Sequence, residues 1–146
     1  MIHYLFALMV NWGMMGWNTT TTTPPVAGEL IVTIQNIKYN RGKIYLAVYN
    51  RKEGFLKVNN AVATKITKVN GSKAVVRFKN LKPGYYAIAT YHDKNDDGKM
   101  NTNMFGVPTE YYGFSRDARA RFSAPSFEDA RIYFKGGRMN TVINLK

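Results

Sequence analysis

The chain contains no cysteine. Disulfide frameworks, thiol nucleophiles and Cys-ligated zinc are therefore excluded, and stability outside the cell would have to come from a core, a metal or neighbouring molecules. Histidine is almost as scarce. With only His3 and His92, neither a His-based zinc site nor a Ser-His-Asp triad can be assembled within one domain. No twelve-residue window carries a helical apolar period. Acidic residues are few, nine against twenty-one Lys and Arg, for a formal net charge of +12. Such a balance raises nucleic acid as a partner. Against that, the basic residues are spread singly from Lys38 to Lys146 without a long run. In alternating stretches such as Lys65-Ile66-Thr67-Lys68-Val69 they take solvent positions, so a solvated basic surface is expected, with no nucleic-acid partner.

Charge of either sign is missing from Met1 to Trp17; the first acidic residue is Glu29 and the first basic one Lys38. Three readings compete for this stretch. A secretory signal wants a basic start, which Met1-Ile2-His3-Tyr4 does not supply. A stable transmembrane span wants about 20 apolar residues, and Asn11, Gly13 and Gly16 interrupt it early. As an extended strand, Ile2, Tyr4, Phe6, Leu8, Val10 and Trp12 share one face. A free apolar strand of that kind aggregates unless covered, and the groove of another copy, entered by strand addition, is one cover.

Asn18 to Pro25 is a low-complexity Thr/Pro linker. Asn18-Thr19-Thr20 matches a glycosylation acceptor, and Thr19, Thr20, Thr21, Thr22 and Thr23 beside proline resemble an O-glycosylated stalk; a plain spacer is the bland alternative. The expected organisation is an apolar segment over 1–17, a linker over 18–27 and one domain over 28–146.

What is abundant is strand-forming residue types: ten Tyr and eight Phe. Leu30, Val32 and Ile34 form one face of a first strand. Ile44, Leu46 and Val48 form the inward face of a second, with Tyr45 and Tyr49 opposite. Asn70-Gly71 and Gly136-Gly137 read as hairpin turns. Short strands at regular spacing predict an all-β, antiparallel β-sandwich behind the N-terminal extended apolar segment.

The most distinctive stretch is Tyr91-His92-Asp93-Lys94-Asn95-Asp96-Asp97-Gly98-Lys99-Met100-Asn101. Asp93, Asn95 and Asp97 alternate before a sharp-turning Gly98, the opening of a calcium-type loop, with Lys99 contributing its carbonyl and Asn101 following. The bidentate Glu that closes such a loop is missing, because Met104 stands there; Glu110 substitutes only if the chain folds back. The competing reading is an Asx-rich turn whose carboxylates cap backbone amides. Any metal would be a structural Ca2+, since no nucleophile stands beside a base. Glu128-Asp129 are too close in sequence to flank one glycosidic bond. Tyr111, Tyr112 and Phe114 form either a sugar-stacking platform or a plug at one end of the sandwich.

Several of these motifs occur together in one order: Leu81-Lys82-Pro83-Gly84-Tyr85-Tyr86-Ala87-Ile88, His92 to Lys99, Phe105-Gly106-Val107-Pro108, Glu110-Tyr111-Tyr112-Gly113-Phe114-Ser115 and Ala124-Pro125-Ser126-Phe127-Glu128-Asp129-Ala130. In this the chain, from Leu30 to Leu145, resembles a family of bacterial exported proteins catalogued as domain of unknown function 2141. The resemblance implies an immunoglobulin-like or transthyretin-like sandwich behind an export signal, without established enzymatic activity. Two residues depart from the family pattern: Asn101 stands where Asp is usual, and Arg116 where Asn usually follows Gly-Phe-Ser. The segment over 1–25 lies outside that pattern.

The functional expectation is a non-enzymatic, extracellular or cell-surface structural subunit of a bacterium that self-assembles by inserting Ile2–Trp12 into a neighbouring sandwich. The alternative is a monomeric exported module that binds a glycan or a peptide.

Overall fold

The computed structural model describes residues 26–146. The expected donor strand and the glycosylation pattern both lie outside the described residues. Among the described residues there are eight strands: β1 (Gly28–Gln35), β2 (Lys43–Tyr49), β3 (Ala63–Lys68), β4 (Ala74–Leu81), β5 (Gly84–Asp93), β6 (Tyr112–Phe114), β7 (Ile132–Phe134) and β8 (Arg138–Asn144). One four-residue helix, α1 (Phe127–Ala130), precedes β7. The all-β expectation holds, and the strands form two sheets.

The smaller sheet runs β4-β1-β8 and the larger β3-β2-β5-β6, with β7 also on β5. All pairings are antiparallel except β1 with β8. Alternation decides which side chains meet between the sheets. Leu30, Val32 and Ile34 of β1 face Ile44, Leu46 and Val48 of β2, all at most 2% exposed. Phe78, Ile88, Phe134 and Ile143 belong to the same core. Each such side chain, removed from water, contributes roughly 1.5–3 kcal/mol gross.

The two expected hairpins are not hairpins. Around Asn70-Gly71 the chain leaves β3 in the larger sheet and enters β4 in the smaller one. Gly136-Gly137 likewise carries it from β7 to β8, which lies parallel to β1. The turn chemistry is correct in both places, since Gly71, Gly136 and Gly137 all have positive φ. Those residues serve a sheet-to-sheet crossing as readily as a hairpin. The local signal fixes a reversal; burial on both inner faces decides which sheet the next strand joins. Among the described residues no helix is long and apolar enough to cross a membrane.

Candidate functional site

The site grows from the outer face of the larger sheet. In β2 the outward residues are Tyr45, Ala47 and Tyr49; in β5 they are Ala87, Ala89 and Tyr91. Register places Tyr45 opposite Tyr91 and Ala47 opposite Ala89. The tyrosines stack, with centroids 4.9 Å apart and planes 11° off parallel. The alanines leave a depression beside them. On the far side, β6 sets Tyr112 against Tyr91 and Phe114 against Ala89. Thr64 and Ile66 of β3 extend the floor at the other edge. The result is a groove of about 1010 Å³ with an alanine floor and aromatic walls.

Of the three aromatic residues that the sequence offers as a platform, the structure brings together two. Tyr112 and Phe114 line the groove. Tyr111 points the other way, packing on the main core and lying 6.1 Å from the ring of Tyr39. At the groove's end Tyr49, Phe55, Phe114 and Phe127 form a second cluster on the same outer face, so Phe114 both walls the groove and joins it to that cluster.

The roof consists of two loops that carry Met100, Phe105 and Val107, and Phe122. Phe105 and Phe122 are 83% and 91% exposed, apolar surface that globular proteins seldom present without a use. The first loop is the acidic one, and its internal bonding explains the crowded carboxylates. Asp93, fully buried, accepts the amides of Asp97 (3.2 Å) and Gly98 (2.8 Å). The chain does fold back: Glu110, 3% exposed, accepts the amides of Lys94 (3.1 Å) and Asn101 (3.2 Å). Asn103 accepts those of Phe105 and Val107. Carboxylates thus clamp both ends of the loop beside the groove and an amide clamps its tip.

Asp97 lies on the exposed side and accepts from Asn95, Asn101 and the amide of Lys99. The Asn101 and Lys99 bonds hold its carboxyl below the ordinary value. Lys43 bonds Asp96 at 2.7 Å, and its ammonium pKa is raised by that bond. Burial, with nearby negative charge, pushes the Tyr91 hydroxyl up to about 12. It therefore stays protonated and donates to the Gly98 carbonyl at 3.4 Å, joining wall to loop. His92 points to the opposite face from Asp93 and is fully buried, with Nε2 on the Arg41 carbonyl at 2.8 Å. Glu128 pairs with Arg131, while Asp129 closes a capping box with Ser126.

Sequence reasoning missed Ser115. Its buried hydroxyl accepts the Ile88 amide at 2.9 Å and donates to the Ala130 carbonyl, pinning β5 and the α1 end together behind the groove wall. It also missed the floor, for which the signal was present: Tyr45-Ala47-Tyr49 and Ala87-Ala89-Tyr91 alternate small with aromatic on one face. Arg116, directly after Ser115, has φ +61°, a conformation that Asn tolerates and Arg resists. The Asn that the resemblance implies at this position would suit that conformation better. Arg116→Asn is expected to raise unfolding free energy by about 0.5–1 kcal/mol in urea melts.

Neither a curated protein nor a solved structure matches the chain. A family model, described as an uncharacterized protein conserved in bacteria, matches residues 32–142. That span runs from the middle of β1 into β8 and includes both the acidic loop and the groove, so the chain belongs to the bacterial family of domain of unknown function 2141.

Proposed function

We propose that the chain is a non-enzymatic, exported binding module whose ligand lies in the groove on the outer face of the larger sheet. The groove itself carries this reading: an alanine floor between aromatic walls is a depression that packing within the chain leaves unfilled. The commitments of the polar residues support the absence of catalysis, since His92, Asp93, Glu110 and Ser115 are each engaged with backbone groups. The expected result is that anilinonaphthalene sulfonate binds the native chain saturably at one site. Ala89→Phe, which fills the floor, should weaken that binding by about tenfold with near-UV dichroism unchanged. Absence of saturable binding to the native chain ends the reading.

A second reading, the self-assembling subunit, draws on one observation. Among the described residues β3 pairs with β2 alone, and Ile66 on it is 58% exposed. Its outer edge is open to strand addition by Ile2–Trp12 of a neighbour, with Asn18–Thr23 as a spacer that carries glycans. The full chain should then elute as large oligomers and a chain starting at Val26 as a monomer. Two monomer peaks would remove the subunit reading and leave the binding module standing.

For the acidic loop we propose a structural calcium ion at Asp97, Asn95 and Asn101, with the Lys99 carbonyl. Both amides donate to the same oxygen of Asp97. Turned over, they present oxygens instead, and the Asn101 side-chain oxygen is buried with no partner. Asp93 and Glu110 then stay as clamps on the backbone. Millimolar calcium should raise Tm by about 3 °C or more; an unchanged melt would leave the Asx turn alone.

A further inference from the structure

The groove's chemistry narrows its ligand. This step rests on the binding-module reading and goes one stage further. The floor strands β2 and β5 are each hydrogen-bonded on both sides, β2 by β3 and β5, and β5 by β2 and β6 or β7. The centre of the floor therefore has no spare backbone donors or acceptors with which to pair a peptide strand; those of the sheet lie at the outer edge of β3, to one side of the alanines. Hydroxyls of Thr64, Thr102 and Ser123 do line the groove, but it has no Asp, Glu, Asn or Gln with which to make the paired bonds that hold a glycan, and its floor and roof are mostly apolar, with Ala47, Ala89, Ile66, Met100, Phe105 and Phe122. Charge completes the pattern. No Asp or Glu lines the groove, and its charged side chain is that of Arg121, since Lys65 alternates with Thr64 and Ile66 and so points to the other face of β3.

We infer that the groove takes a single-chain amphiphile with an anionic head, of the long-chain fatty-acid class. The chain lies along the alanine floor between the Tyr45–Tyr91 stack and the Tyr112–Phe114 wall. Phe105 and Phe122, now exposed to water, cover it from above. The carboxylate meets Arg121 at the rim, whose guanidinium offers a planar donor pair suited to carboxylates. The volume of about 1010 Å³ lies at the upper end of the range for ligand pockets, about 300–1,000 Å³, and leaves room for a flexible chain that needs no rigid outline.

The test is a titration of the full chain with palmitate, hexadecanol, chitohexaose and an uncharged apolar decapeptide, each read by displacement of anilinonaphthalene sulfonate. Palmitate should displace the dye at micromolar concentration, and hexadecanol about tenfold less well. Ala89→Phe, or Ala47→Leu should the first variant fail to fold, should lower palmitate affinity by about tenfold or more. Arg121→Glu should weaken palmitate and leave hexadecanol unchanged. Displacement by the glycan or the peptide, without displacement by palmitate, overturns the inference while the binding module survives. Equal affinity for palmitate and hexadecanol, unaltered in Arg121→Glu, overturns the anionic head. If the dye itself does not bind the native chain, both the inference and the reading beneath it are lost.

Discussion

Ser115→Ala is expected to lower Tm by about 10 °C, a large loss for the removal of one oxygen atom. The reason lies in what that atom connects. Its hydroxyl is fully buried, accepts from the Ile88 amide in the centre of β5 and donates to the Ala130 carbonyl at the end of α1. Alanine leaves both backbone groups buried and unpaired, at about 1–3 kcal/mol each. Water can reach these groups only if the neighbouring cluster of Tyr49, Ala87, Phe114, Phe127 and Ala130 opens. Ser126→Ala removes a hydroxyl of the same type from the capping box of the same short helix, but at an exposed site where water substitutes; about 1 kcal/mol is expected there. Thermal melts of the two variants separate a buried pin from a surface cap. Equal, small shifts for both would mean that Ser115 is not the junction its bonds describe.

That junction was visible in the sequence only as a spelling, Gly-Phe-Ser followed some residues later by Phe-Glu-Asp-Ala. The fold was far more legible, because alternation is a local property. Leu30, Val32 and Ile34 announce an inward face without reference to any other strand, and the structure buries all three completely. Sheet membership was not legible. Asn70-Gly71 specifies a tight reversal, but whether β4 pairs with β3 or crosses to β1 depends on inner faces far apart in the chain. The parallel β1–β8 pair joins the two ends of the domain and leaves no local trace. The groove was half legible. Tyr112 and Phe114 stood out as aromatics, whereas Ala47 and Ala89 matter for what they lack, and a missing side chain becomes a site only when register sets two such positions side by side. The acidic loop was recognised as built, yet its key feature, Glu110 returning to the amides of Lys94 and Asn101, required the fold-back that only the structure supplies.

Asp93→Ala should cost about 3 kcal/mol, measured by urea unfolding in chelator-containing buffer so that any calcium contribution is absent. Asp93 is fully buried and its two oxygens receive the amides of Asp97 and Gly98, so truncation strands two donors and empties the space they pointed into. Asp93→Asn is expected to be nearly as damaging despite its shape, because one oxygen becomes an NH2 group facing an amide donor. Asp97→Ala is the contrast. Its bonds come from Asn95, Asn101 and Lys99 on the exposed side, and its loss in calcium-free buffer should move the urea midpoint far less than the loss of Asp93. The order therefore distinguishes two designs for one cluster of acids. If Asp93 serves chiefly as an ion ligand, removing calcium beforehand should erase most of the difference between the two alanine variants. If it is a clamp on the backbone, the difference persists without calcium. The Asp93 variants should also bind groove ligands less well, because the residues that Asp93 and Glu110 hold in place carry Met100, Phe105 and Val107 over the alanine floor.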